Sequence, residues 1–180
     1  RGRVGGRRMK KLSARRIAAL GALLAMASVL FVVESLIPPL LPMAPYVKIG
    51  LANSVVLFVI IVFGAGDAFV FVLLKNLITA LFVTPFVLPF NLAGSLCAYL
   101  AMAGMYGTLF PRVSLVSVSI AGAVLSNIAR TSVAVLIMEA ESLYIQLPFV
   151  CAFSVLAGIV IGVLSTLLIK YLPERLTKFE

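Results

Sequence analysis

Six apolar runs, each about long enough to span a bilayer, follow one another along this chain, separated by proline, glycine and charged residues. A hydrocarbon core ~30 Å thick is crossed by ~20 helical residues, and lipid offers no partner for a free backbone N–H or C=O. Such runs therefore fold as transmembrane helices. They extend from Ile17 to Ile37, Val47 to Phe63, Asp67 to Val83, Phe86 to Phe110, Val113 to Met138 and Gln146 to Tyr171. The runs are continuous rather than alternating, which excludes a membrane β-barrel, and no solenoid period is visible. The expected fold is an all-α integral membrane protein. Its six-transmembrane-helix bundle fills residues 17–172, with a basic arm at 1–16 and a short tail at 173–180.

Charge supports this and excludes another class. Only 12% of the 180 residues are charged against 63% hydrophobic, too few charges to cover a water-facing surface. The net charge of +9 would fit nucleic-acid binding if it were spread over a folded face. Instead, eight of the fifteen basic residues lie within the first sixteen positions, and Lys170, Arg175 and Lys178 cluster at the other end. Basic segments flanking apolar helices stay in the cytoplasm, and an even number of crossings puts both termini there. Arg112 then falls in a cytoplasmic turn, whereas Glu139, Glu141 and the proline-rich segment from Pro38 to Pro45 fall outside. Met9-Lys10-Lys11 has the look of a natural start, with residues 1–8 upstream of it. Ala25-Met26-Ala27 resembles a signal cleavage site, but the apolar run continues through it.

Chemistry-bearing residues are scarce. There is no histidine, Cys97 and Cys151 form no CxxC, and the usual zinc and haem ligand sets are missing. No catalytic motif is found and no cofactor is expected in this chain. Asp67, beside Gly64 and Gly66, reads as a helix N-terminal cap, and Glu139 with Glu141 as solvated loop charge. Small residues recur at helix-packing spacing at Ala14, Ala18 and Ala22, and again at Gly158 and Gly162. Each set permits close approach of helices, either inside the bundle or, for the first, against a partner membrane protein.

An ionisable side chain at membrane depth costs ~2.5–3.5 kcal/mol on insertion scales, so each requires a partner, a water-filled cavity or a ligand. Glu34, Lys48, Asn53, Lys75, Asn76, Asn91, Asn127 and Arg130 all map to mid-depth or to the outer half of the predicted spans. Asn127 and Arg130, three apart, share a helix face, as do Asn91 and Ser95, four apart. Two arrangements account for them. One is an outward-facing polar cavity that binds a small polar or anionic solute. The other is an internal ion-pair and hydrogen-bond network, for example of Glu34 with Lys75 or Arg130, that holds the helices in register. One acid against three bases leaves a positive surplus that internal pairing cannot satisfy, which favours the cavity.

Glu34-Ser35-Leu36-Ile37-Pro38-Pro39, followed by Lys48-Ile49-Gly50-Leu51-Ala52-Asn53, resembles the hallmark of a bacterial membrane family. It is the Gx transporter family, also labelled heptaprenyl diphosphate synthase component I. The resemblance runs from about Ala14 to Leu172 and includes Asn91 to Gly94 and Gly122 to Asn127. That family is similar to the substrate-binding S components of energy-coupling factor transporters. The resemblance implies a six-helix bundle in the bacterial inner membrane that captures a solute from outside. It further implies that Ala14, Ala18 and Ala22 dock a coupling transmembrane subunit, that partner ATPases use ATP, and that the proline-rich loop acts as a lid.

The synthase label implies a different class. Prenyl transfer needs aspartate-rich motifs to hold magnesium on a diphosphate, and Asp67 is the only aspartate in the chain. At most the protein is then a non-catalytic component beside a separate synthase subunit. A third class, a membrane partner in quinone- or flavin-linked electron transfer, would have to work through a bound ligand, because no side chain here ligates a redox centre.

Overall fold

The structure, a computed structural model, describes residues 14–36, 48–82 and 85–171. Most of the basic arm, the proline-rich loop and the C-terminal tail lie outside the described residues. Six α-helices follow in chain order: α1 (Ala14–Leu36), α2 (Ala52–Phe63), α3 (Ala65–Phe82), α4 (Leu88–Leu109), α5 (Leu115–Met138) and α6 (Leu147–Tyr171). Short 3-10 turns, Pro85–Val87 and Glu141–Gln146, lead into α4 and α6. No strand occurs among the described residues.

Five of these helices, α1, α3, α4, α5 and α6, are long and apolar enough to cross a membrane. The expected sixth is not. The apolar run from Val47 predicts a full crossing, but α2 begins only at Ala52 and its 12 residues rise about 18 Å, well short of the hydrocarbon thickness. Gly50 explains the late start. Its φ of +84° lies in the left-handed region, which glycine alone enters at no steric cost, and this breaks the helical path just before α2.

A half-length helix survives at membrane depth only if protein surrounds it. Every residue of α2 from Ala52 to Ile60 is buried, and Val55 to Phe58 are at most 1% exposed, so α2 is the inner column on which the others pack. After Asn53 and Ser54 in its first turn its sequence is apolar on every face, which is what a helix enclosed on all sides requires. α1 packs on this column and on α3 through Ala27, Phe31 and Glu34 and turns the rest of its surface outward.

Glycine sets the closest helix contacts. A Cβ at Gly158 would lie 2.5 Å from the Ile120 Cα, and one at Gly162 would lie 2.7 Å from the Val116 Cα. The Gly158/Gly162 pair therefore seats α6 directly on the backbone of α5, while Gly122 of α5 makes room for the Met102 side chain of α4. At one end of the bundle, called basal below, Arg16 of α1 reaches the α2–α3 turn. Ser114 caps α5 by accepting the Ser117 N–H at 3.1 Å, and Glu139 ends that helix in the left-handed conformation.

Candidate functional site

The polar residues of the spans gather where α2 begins. Lys75 stands ten residues beyond Ala65, about 15 Å from the basal end of α3, near the middle of a membrane-spanning length. Asn53, ten residues before Phe63, starts α2 at the same height. The Lys75 ammonium donates to the Asn53 Oδ1 at 3.4 Å and to the Ser95 Oγ at 3.2 Å, and Ser95 in turn donates to the Asn76 Oδ1 at 3.2 Å. Lys75 is 2% exposed, and these neutral oxygens are its hydrogen-bond acceptors among the described residues.

Glu34 makes no contact ion pair among the described residues. Its carboxylate accepts the backbone N–H of Gly50 at 2.6 Å and of Leu51 at 3.1 Å, two of the donors that a helix start leaves without an intrahelical partner. Among the described residues no carboxylate comes within 4 Å of Lys48, Lys75 or Arg130. The direct ion pair of Glu34 with Lys75 or Arg130 is therefore not formed, whereas the hydrogen-bond part of the expected internal network is present, through Asn53, Ser95, Asn76 and Asn127. Lipid cannot hydrate an open helix start, and the carboxylate has been recruited to that task instead.

Asn127 also belongs to the frame. Its amide donates to the Lys48 carbonyl at 3.2 Å and to the Ser154 Oγ at 2.9 Å, which spends both of its N–H groups and ties α5 to α6 and to the segment before α2. Asn76 donates to the Val72 carbonyl of its own helix. The Lys48 ammonium donates to the Ser35 Oγ at 2.8 Å and sits 4.0 Å from the centre of the Phe31 ring, a cation–π contact.

Two of the expected residues remain without such work. Asn91, 6% exposed, forms no side-chain hydrogen bond among the described residues. Arg130, 3% exposed, has Nε and Nη1 buried with no hydrogen-bond partner among the described residues. Its side chain lies across α4 at Gly94, where a Cβ would come within 2.4 Å of Nε and 2.8 Å of Cγ. Gly94 and Ser95 are neighbours, so the two most deeply buried cations meet α4 at adjacent residues: Arg130 at the first and Lys75 at the second. Asn91 precedes them by three and four residues, the spacing that keeps it on the same face.

Sequence reasoning missed the one ion pair the described residues display. Arg16, counted with the basic arm, belongs to α1 and is buried. Its Nε donates to the Asp67 Oδ2 at 2.9 Å and its Nη2 to the Phe63 carbonyl at 3.1 Å. Asp67 lies within the first turn of α3 and holds α1 there, beyond the capping role its position implied. A lone basic residue at the edge of an arm and a lone aspartate fifty-one positions away carry no local signal of this pairing.

Ala14, Ala18 and Ala22 are exposed, in contrast to the glycine pair of α6. Beside them an apolar groove of about 530 Å³ runs between α1 and α3, bounded by Gly21, Ala25, Val29, Val33, Ile78 and Phe82.

The family model of heptaprenyl diphosphate synthase component I matches residues 23–168, most of the chain. The chain belongs to this family. Within the heptaprenyl diphosphate synthase component I match fall all eight polar residues of the site, from Glu34 to Arg130, together with Gly94. The exposed alanines of α1 precede it. No curated protein matches the chain.

Proposed function

We propose that this chain is the membrane-embedded substrate-binding subunit of a small-solute uptake transporter, similar to the S components of energy-coupling factor transporters. The solute is polar or anionic and binds at mid-depth between α3, α4 and α5, against Arg130, Lys75 and Asn91. Glu34, Asn53, Asn76 and Asn127 hold the surrounding backbone and side chains in place, and Lys48 stands at the approach to the site. A coupling transmembrane subunit docks on Ala14, Ala18 and Ala22, and partner ATPases supply the energy. The observation that carries this reading is the Arg130 guanidinium, buried with two nitrogens unpartnered. A buried polar group with no partner costs ~1–3 kcal/mol, more when it is charged, and a protein that does not use it gains by replacing it.

The test is mass spectrometry of small molecules retained by gently purified protein, run beside thermal midpoints for Lys75→Met and Arg130→Met. Capture predicts loss of the retained solute at an unchanged or raised midpoint, because the buried charge has no carboxylate to abandon. A fallen midpoint with normal retention in the folded fraction overturns it.

The family description supports a second reading, a component of a prenyl diphosphate synthase. With Asp67 as its only aspartate, already engaged by Arg16, this chain would serve there as a non-catalytic partner. Retention of a prenyl diphosphate, with synthase activity appearing only on adding a second subunit, distinguishes it.

A further inference from the structure

Resting on the capture reading above, we infer that the bound solute presents a doubly charged oxyanion, of the phosphate monoester or dicarboxylate kind, to Arg130 and Lys75 together. The inference follows from where the charges go. Both oxygens of Glu34, the one acid of the cluster, are taken by the N–H groups of Gly50 and Leu51. Lys48 is only half-buried and has Ser35 and the Phe31 ring. That leaves two deeply buried cations, Lys75 and Arg130, with no carboxylate in contact among the described residues, and α4 brings them together at Gly94 and Ser95.

Two cations at membrane depth without a contacting counter-ion are matched best by a partner that brings two charges of opposite sign; a monoanion leaves one without a contact, and a neutral or cationic solute leaves both. The side chains differ in a useful way. A guanidinium is a planar fork that grips two oxygens at once, whereas an ammonium is a compact point charge that serves a third. Asn91, unengaged on the same face of α4, supplies a neutral donor and acceptor beside them. Gly94 acts as a positioning residue, because only a missing Cβ lets the Arg130 side chain pass this close to α4.

The test uses the purified full chain in detergent micelles at fixed ionic strength. Its thermal midpoint is titrated with sulfate, inorganic phosphate and acetate, and separately in micelles doped with dioleoyl phosphatidic acid. Sulfate and phosphate are expected to raise the midpoint saturably, at concentrations at least tenfold below acetate. Arg130→Met should abolish that shift, whereas general salting effects would persist in it. Gly94→Ala keeps every charge but displaces the guanidinium, and it should weaken the response several-fold even if Arg130→Met fails to fold. Saturation by phosphatidic acid alone identifies a lipid headgroup as the source of the same chemistry and supports the inference. Equal responses to acetate and sulfate overturn it. Recovery of a neutral or cationic solute by mass spectrometry also overturns it while leaving capture intact. A chain that retains nothing and responds to no anion defeats both.

Discussion

The carboxylate of Glu34 accepts the backbone N–H of Gly50 at 2.6 Å, joining the end of α1 to the start of α2 across a loop of which both residues form the margins. Glu34→Ala should leave that N–H and the one on Leu51 buried without acceptors, and lower stability by about 1–3 kcal/mol. Glu34→Gln, which keeps one acceptor oxygen, should lose less. If Glu34 were instead the counter-ion of Lys75, adding Lys75→Met would restore the loss. The double-mutant cycle read from thermal midpoints is expected to show no such rescue.

Arg16 and Asp67 fasten the basal end of α1 to α3. Asp67→Asn should lower stability by about 1–3 kcal/mol, because the buried guanidinium loses its charged acceptor while the Phe63 carbonyl remains. The pair Arg16→Met with Asp67→Leu should recover part of that loss, since neither charge is then left behind. An Asp67→Asn protein with an unaltered midpoint would show that water already satisfies the arginine.

The two small-residue stripes should respond oppositely to enlargement. Gly158→Leu would drive its side chain into the Ile120 backbone and is expected to unfold or rearrange the α5–α6 pair. Ala18→Leu and Ala22→Leu add bulk to an exposed face and should leave the midpoint within about 0.5 kcal/mol of the parent. Under the transporter proposal the same two variants weaken co-purification with a coupling subunit. Undiminished co-purification with both would remove that face from consideration as the docking surface.

Topology can be read from exposed turns. In a background with Cys97 and Cys151 replaced by alanine, single cysteines at Arg112 and Glu141 occupy opposite ends of the bundle. Glu141→Cys should react with a membrane-impermeant maleimide in intact cells, and Arg112→Cys only after permeabilisation. The reverse pattern would invert the orientation expected from the basic termini.

Much of the helical frame was legible because it rests on apolar run length, which the bilayer imposes. The predicted bounds of α1, α3, α4, α5 and α6 lie within a few residues of the observed ones. The second run misled for the same reason: hydropathy counts Val47 to Leu51 as crossing material, whereas the left-handed Gly50 ends the helix there. The polar cluster could be found from the cost of placing Lys75, Arg130 and the asparagines in lipid. Which of them are free could not, because that depends on partners such as Ser154 for Asn127 and the Gly50 amide for Glu34, distant in sequence and ordinary in type. Gly94 shows the same limit: its meaning lies in the arginine that crosses it.

The short α2 has a mechanical consequence. Residues 48–51 carry non-helical peptide groups down to the level of Lys75, and the N–H of Gly50 and Leu51 are held by a side chain of α1. α1 therefore cannot swing away from the bundle without baring those amides to lipid, so it tilts with the start of α2 or not at all. Ala18, Ala22 and Glu34 share one uninterrupted helix, so under the transporter proposal a load applied to the exposed face is passed along it to Glu34. From there it passes to the peptide units just before Asn53, the residue that holds the Lys75 ammonium. The outermost helix is thus the handle by which the buried charges can be moved.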